Sequence, residues 1–95
     1  MLIDSLTASS GEMTAISFLG LPNVKTFGQP SAGYTTSNGT FPLSNGSHLY
    51  LATSHAADRT GKVYIEKIFP DVTVEDNSNT KEDEVIEEAK KWIRQ

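Results

Sequence analysis

The chain of 95 residues contains no cysteine, which excludes disulfides and thiolate metal sites. It also lacks an apolar run of the ~20 residues that a membrane-spanning helix requires. Basic residues are few, since eight Lys and Arg face twelve Asp and Glu, and the formal net charge is -4. No basic stripe is available to neutralise phosphates, so the sequence predicts no nucleic-acid partner. Only two histidines are present, without carboxylate or thiol neighbours, and we expect no metal and no other cofactor.

The first part of the chain has the pattern of a strand, a helix and a second strand. Leu2-Ile3 resembles the end of a strand that we expect to be truncated. The apolar spacing from Met13 to Leu19 predicts a buried helix, which the following Gly and Pro would end. Val24 to Phe27 has the composition of a strand. This succession predicts a parallel crossover in a covered sheet, and therefore an α/β fold.

A loop and a hairpin are predicted next. Residues 29–39 are rich in Gly, Ser, Thr, Pro and Asn, which favours a long surface loop. Residues 40–43 and 47–53 then form the arms of a hairpin, because Asn45-Gly46 supplies the positive φ angles of a tight turn. The second arm alternates in hydrophobicity, so we expect it to be half-buried.

The chain closes with a polar linker at residues 76–80 and an amphipathic helix at residues 81–95. The apolar stripe of that helix consists of Val85, Ile86, Ala89, Trp92 and Ile93. We expect the helix to pack on the same domain as residues 1–75, because a chain of this length holds one small core.

Ser9 stands between the first strand and the first turn of the predicted helix. A nucleophile at this place has free backbone N–H groups and the positive end of a helix beside it, which together stabilise an oxyanion. The geometry suits acyl transfer. The spacing from Ser9 to Glu12 is equally that of a capping box, in which the two residues only stabilise the start of the helix.

The segment from Thr7 to Glu12 resembles the nucleophile motif of the C-terminal processing (tail-specific) serine peptidases. Four further segments resemble that family in the same order, namely a strand-and-glycine segment, a hairpin, a turn and a Pro-Asp signature, at residues 27–33, 40–51, 58–61 and 68–71. The resemblance covers about residues 2–75. It implies the C-terminal portion of a catalytic core of the crotonase and Clp-protease kind, with a β-hairpin and a C-terminal amphipathic helix.

The resemblance also assigns roles to single residues. Ser9 is expected to be the nucleophile, and the Ser10 amide is expected to form part of the oxyanion hole. Tyr34 is expected to line the substrate channel. Residues that would support the site without reacting are Thr7, Glu12, Gly28 and Gly33. Asp71 more simply fixes a turn through its own side chain.

The general base is the part of the site that the chain lacks. In one branch of the family a lysine follows the second glycine, but Tyr34 stands there, 25 positions after Ser9. The pKa of a tyrosine is too high for a base at neutral pH. The chain is therefore similar to the histidine branch, typified by the tricorn core protease, whose base lies upstream. His48 and His55 are poor substitutes in a predicted hairpin, and Glu66 is the candidate acid that would orient the absent histidine.

These observations predict a serine-type peptidase that is inactive as the isolated 95-residue chain. Its expected partners are a polypeptide substrate, the upstream half of the catalytic domain, and a second copy that associates through the truncated sheet edge. Relatives suggest an extracytoplasmic or cell-envelope location. Two alternatives stay open: a non-catalytic peptide- or ligand-binding relative in which Ser9 is only a helix cap, and an acyl-CoA enzyme related to crotonase.

Overall fold

The computed structural model describes residues 1–75 and 82–95, so the predicted linker at 76–80 and the first residue of the predicted final helix lie outside the described residues. Two helices and six strands form a mixed α/β structure with two three-stranded sheets. In chain order the elements are β1 (Leu2–Ile3), α1 (Ser10–Phe18), β2 (Phe27–Gly28), β3 (Thr36–Pro42), β4 (His48–Ala57), β5 (Val63–Tyr64), β6 (Val72–Thr73) and α2 (Glu84–Ile93).

The first sheet is parallel and has the order β1-β2-β6. Helix α1 connects β1 to β2, and the pairing of Leu2 with Phe27 and of Ile3 with Gly28 confirms the predicted crossover. Gly28 allows the two strands to approach. Its φ angle is +131°, and a Cβ atom at this position would lie 2.0 Å from the carbonyl oxygen of Ile3. Only glycine accommodates both conditions.

The second sheet contains the hairpin of β3 and β4 with β5 at its edge. The hairpin is longer than predicted, because β3 begins at Thr36, inside the segment assigned to a loop. A bulge between Ser37 and Asn38 shifts the register there, which hides the strand from a simple alternation pattern. The turn forms as expected, with Gly46 at a φ of +89°. The prediction that the second arm is half-buried was wrong, since nine of the ten residues of β4 are exposed.

The apolar core is small and lies between α1, β1 and the segment around β5. Its fully buried members are Ile3, Ala15, Ile16, Tyr64 and Ile68. The radius of gyration is 16.7 Å, whereas a compact domain of this length has one of about 12 Å. The hairpin accounts for the difference, because its strands extend away from the core with little packed against them.

Helix α2 packs against the parallel sheet. Asp83 caps its first turn by accepting hydrogen bonds from the N–H groups of Val85 and Ile86, at 2.9 and 3.1 Å. The ring of Trp92 contacts that of Phe27 at 6.0 Å between centroids. Ile93, assigned to the apolar stripe, is 72% exposed. Among the helices that the structure describes, none has the length and apolar character needed to cross a membrane.

Replacing Gly28 by Ala should destabilise the chain by about 4 kcal/mol, because the added methyl group collides with the Ile3 carbonyl at a φ that alanine avoids. Gly46→Ala is the matched control, since Gly46 also has positive φ but nothing within 4 Å. The control should lose only about 1–2 kcal/mol. Urea unfolding of the two variants tests the comparison, and equal losses would show that the close approach of β1 and β2 is unimportant.

Candidate active site

Ser9 occupies a strained turn between β1 and α1. Its backbone angles are φ 52° and ψ -114°, and no other non-glycine residue in the described ranges 1–75 and 82–95 has a positive φ. A preceding turn brings the chain there: the Thr7 N–H donates to the Asp4 carbonyl at 3.0 Å, and the Asp4 N–H donates to the Thr7 hydroxyl at 3.1 Å. Ser9 itself is exposed, so its side chain is accessible from solvent.

The relation between Ser9 and Glu12 is an unequal capping box. Both contacts of a capping box are present: the Ser9 side chain lies near the N–H of Glu12, and the Glu12 side chain lies near the N–H of Ser9. The strong half belongs to Glu12, whose Oε1 accepts from the Ser9 N–H at 2.9 Å. The Ser9 hydroxyl makes no side-chain cap hydrogen bond with the described residues. An ordinary N-cap residue has extended backbone angles. Ser9 differs, because its φ is positive.

The Glu12 carboxylate is completely buried and accepts four hydrogen bonds. Besides Ser9, the donors are the hydroxyl of Ser31 at 2.6 Å and the N–H groups of Gly33 and Tyr34 at 3.0 and 2.8 Å. Three of these four donors lie about twenty positions along the chain. Glu12 thus joins the turn at Ser9 to the loop that precedes β3.

The pKa of Glu12 lies below its ordinary value of 4.5. Burial is the largest single influence and raises the pKa, but the hydrogen bonds from Ser31, Tyr34, Ser9 and Gly33 together outweigh it. In the described part of the chain the carboxylate has no ion-pair partner. Its charge is therefore stabilised by peptide and hydroxyl dipoles alone.

Ser31 ties the loop before β3 to Glu12 and to Ile68 by hydrogen bonds. It is 1% exposed, and its hydroxyl donates to Glu12 while accepting from the Ile68 N–H at 2.8 Å. Its own N–H donates to the Ile68 carbonyl at 3.0 Å, and the Ala32 N–H donates to the Thr7 carbonyl at 2.8 Å. This role could not be predicted from the sequence, because a serine in a polar loop is usually exposed.

Ser10 opens helix α1, and its backbone N–H donates to no acceptor within residues 1–75 and 82–95. The first N–H groups of a helix have no partner inside the helix, and this one adjoins the residue assigned as nucleophile. The Ser10 amide and the positive end of α1 therefore form a place where a negatively charged oxygen would be stabilised.

Three other residues that the sequence assigned to the site are Tyr34, Gly33 and Glu66. Tyr34 adjoins the site through its N–H, and its side chain is 68% exposed. Gly33 has a φ of +99° and lies beside Lys67, which follows Glu66. The Glu66 side chain is exposed, and the hydroxyl of buried Thr35 lies 2.9 Å from its backbone carbonyl.

The two histidines lie on the exposed strand β4. His55 pairs with Thr36 near the base of the hairpin, and His48 pairs with Pro42 near its turn. The seven intervening steps along a strand put His48 roughly 23 Å farther out.

The interpretation of Asp71 as a local turn residue was wrong. Its carboxylate accepts from the N–H and the hydroxyl of Thr26, at 2.8 and 3.0 Å, and its own N–H donates to the Thr26 hydroxyl at 2.8 Å. Thr26 is 1% exposed and precedes β2. Asp71 therefore joins β6 to β2 over 45 positions of the chain.

Comparisons with known proteins identify the family of this chain. A family model described as peptidase family S41 matches residues 1–74. The nisin-resistance protein of Lactococcus lactis subsp. lactis is 43% identical over 94 residues, which are 99% of this chain and 29% of that protein. A solved structure described as a lipoprotein from Streptococcus agalactiae superposes with a TM-score of 0.78 and 42% identity, covering 98% of this chain and 30% of that one.

The chain therefore belongs to peptidase family S41. This confirms the resemblance to the C-terminal processing peptidases that the segment from Thr7 to Glu12 suggested. The chain spans about three tenths of the length of both relatives.

Replacing Glu12 by Gln should lower the free energy of unfolding at pH 7 by about 2–4 kcal/mol, because the amide nitrogen faces a donor and the charge is lost. The difference from wild type should shrink as the pH falls below 4.5. A lowered pKa gives stability that is complete above the unfolded value and disappears as the pH falls through the folded value.

Urea unfolding between pH 7 and pH 3 measures this difference, with Glu75→Gln, an exposed glutamate, as the control. Asp58, whose pKa is lowered to about 2, titrates in both proteins and cancels in the comparison. A constant difference over this pH range would show that folding does not lower the pKa of Glu12.

Proposed function

We propose that this chain carries the nucleophile of a serine-type peptidase and that Ser9 forms the acyl-enzyme. The observation that supports this most directly is the backbone of Ser9, strained at φ 52° at the start of α1. Strain of this kind is maintained only where the surroundings enforce it, and it is concentrated at functional sites. Membership of family S41 supports the same assignment.

In the proposed reaction the Ser9 oxygen attacks the carbonyl carbon of a peptide bond while its proton passes to a base. The Ser10 N–H donates one hydrogen bond to the resulting oxyanion, and a loop outside this chain supplies the other. The C–N bond breaks as the leaving amine takes the proton, and water then hydrolyses the ester. Glu12 and Thr7 hold the turn in place without contacting the reacting atoms.

The base comes from outside these 95 residues. Tyr34 stands where one branch of the family has its lysine, so we assign the chain to the histidine branch, with Glu66 as the acid that orients the histidine. The relatives are more than three times as long as the stretch they share with this chain. Their remaining length leaves room for the upstream half of the catalytic domain, which would complete a core of the crotonase and Clp-protease kind.

The substrate is a polypeptide. A relative named for resistance to nisin makes that peptide the first one to test. A solved relative described as a lipoprotein favours a cell-envelope location. A second copy of the chain would associate through the outer edge of β1, which has a neighbouring strand on one side only among the residues that the structure describes.

The alternative is a binding relative in which Ser9 serves only as a helix cap. It is favoured less, because a residue retained only for capping has extended backbone angles and needs no positive φ. The acyl-CoA alternative has no support from the family match.

The isolated chain should not react with a fluorophosphonate at Ser9, because no base is present to take the proton from the hydroxyl. A longer protein that includes the upstream half should be labelled, and the label should be lost in Ser9→Ala but retained in Ser5→Ala, a control at an exposed serine of the preceding loop. Mass spectrometry of the labelled peptide gives the answer. Rapid stoichiometric labelling of the isolated chain would contradict the missing base, and an unlabelled longer protein would favour the binding relative.

Self-association through the sheet edge predicts that light scattering detects dimers at a high concentration of the isolated chain. Lys residues placed on the outer edge, as in Leu2→Lys, should return it to the monomer, because charges at an edge oppose strand pairing. A monomer at every concentration would contradict this part of the proposal.

A further inference from the structure

The carboxyl end of α1 is held by a residue from a distant turn. The guanidinium of Arg59 donates to the carbonyl oxygens of Ser17 at 2.5 Å and Leu19 at 3.2 Å. The last carbonyl groups of a helix have no partner inside it, and the last turn of α1 contains no basic residue. Arg59 supplies both the missing donors and a cation at the negative end of the helix.

The turn that carries Arg59 fits closely against this helix end. Gly20, which follows α1 with a φ of +85°, has no side chain, and a Cβ atom there would lie 2.8 Å from Arg59 Cγ and 2.8 Å from Thr60 Cγ2. Asp58 fixes the shape of the turn by accepting from the Thr60 N–H at 2.8 Å and from the hydroxyl of Tyr64, a core residue, at 2.8 Å. Arg59 is thus presented to α1 by a turn that is itself tied to the core.

Both ends of α1 therefore form hydrogen bonds with the two segments that flank the hairpin, the one that precedes β3 and the one that follows β4. Gly33 and Tyr34, which precede β3, donate to Glu12 in the first turn of the helix. Arg59, which follows β4, donates to carbonyl groups at its last turn. The start of β3 and the end of β4 are also joined to each other, because the Ala56 N–H donates to the Thr35 carbonyl at 3.0 Å.

We propose that Arg59 is a positioning residue for Ser9, fixing the direction of α1 from its far end while Glu12 fixes it at the near end. The helix has nine residues and a length of about 13 Å, too short to be stable without tertiary contacts. Released at its carboxyl end, it tilts about the Glu12 carboxylate and moves the Ser9 turn relative to the loop before β3. The catalytic meaning of this role rests on the proposed function.

Amide hydrogen exchange in the isolated chain tests the inference without any activity. In Arg59→Gln, the N–H groups of Ser9, Gly33 and Tyr34 should exchange about tenfold faster, while the paired N–H groups of β2 keep their rates. Arg59→Lys should give an intermediate effect, because an ammonium group reaches one carbonyl where the guanidinium reaches two. Arg94→Gln, at an exposed arginine that follows α2, is the matched control and should change none of these rates.

Faster exchange confined to Leu19 and Leu21, with Ser9 and Tyr34 unchanged, would overturn the inference, because Arg59 would then stabilise only the helix end. If Arg59→Gln does not fold, the same comparison in Arg59→Lys decides. In a longer protein with peptidase activity, Arg59→Gln should lower kcat about tenfold and leave KM unchanged. A longer wild-type protein without activity would count against the proposed function, whereas the exchange rates would still decide the positioning role.

Discussion

A buried carboxylate without a cation is the constraint on which the rest of this structure depends. Glu12 is 0% exposed, and its charge is balanced by three peptide N–H groups and one hydroxyl. A buried charge is expensive unless every lone pair is satisfied. The turn at Ser9 and the loop before β3 must therefore come together in one arrangement, because neither alone can satisfy the carboxylate. The N–H of Ser9 is one of the donors, so the same carboxylate holds the strained turn in place.

Buried hydrogen-bonded side chains connect the segments of this fold, which has only a small apolar core. Within residues 1–75 and 82–95, six apolar side chains are buried, and so are four polar ones, Glu12, Thr26, Ser31 and Thr35. Thr26 joins β2 to Asp71, Thr35 joins the base of β3 to the segment around Tyr64, and both are satisfied. Hydrogen bonds of this kind are directional, so they fix one geometry where a small core would tolerate several. Under the proposed function, this property would serve to hold the Ser9 hydroxyl in place.

Turns and hydrogen bonds between residues close in the chain could be predicted from the sequence, whereas hydrogen bonds between distant residues could not. The end of α1 follows from Gly20 and Pro22, the hairpin turn from Asn45-Gly46, and the bond between Ser9 and Glu12 from their spacing, since each depends on neighbours in the chain. The further donors to Glu12 and the partner of Asp71 lie 19 to 45 positions away, where spacing carries no information. The family resemblance was confirmed, because it compares many positions at once.

A carbon-detected NMR titration of the Glu12 carboxyl group tests whether an ionised Glu12 organises the turn at Ser9. We expect a midpoint below the ordinary value of 4.5, with the amide signals of Ser9, Gly33 and Tyr34 changing at the same midpoint because they share the same carboxylate. A midpoint at or above 4.5, or amide signals that do not follow it, would show that the ionised carboxylate does not organise this turn.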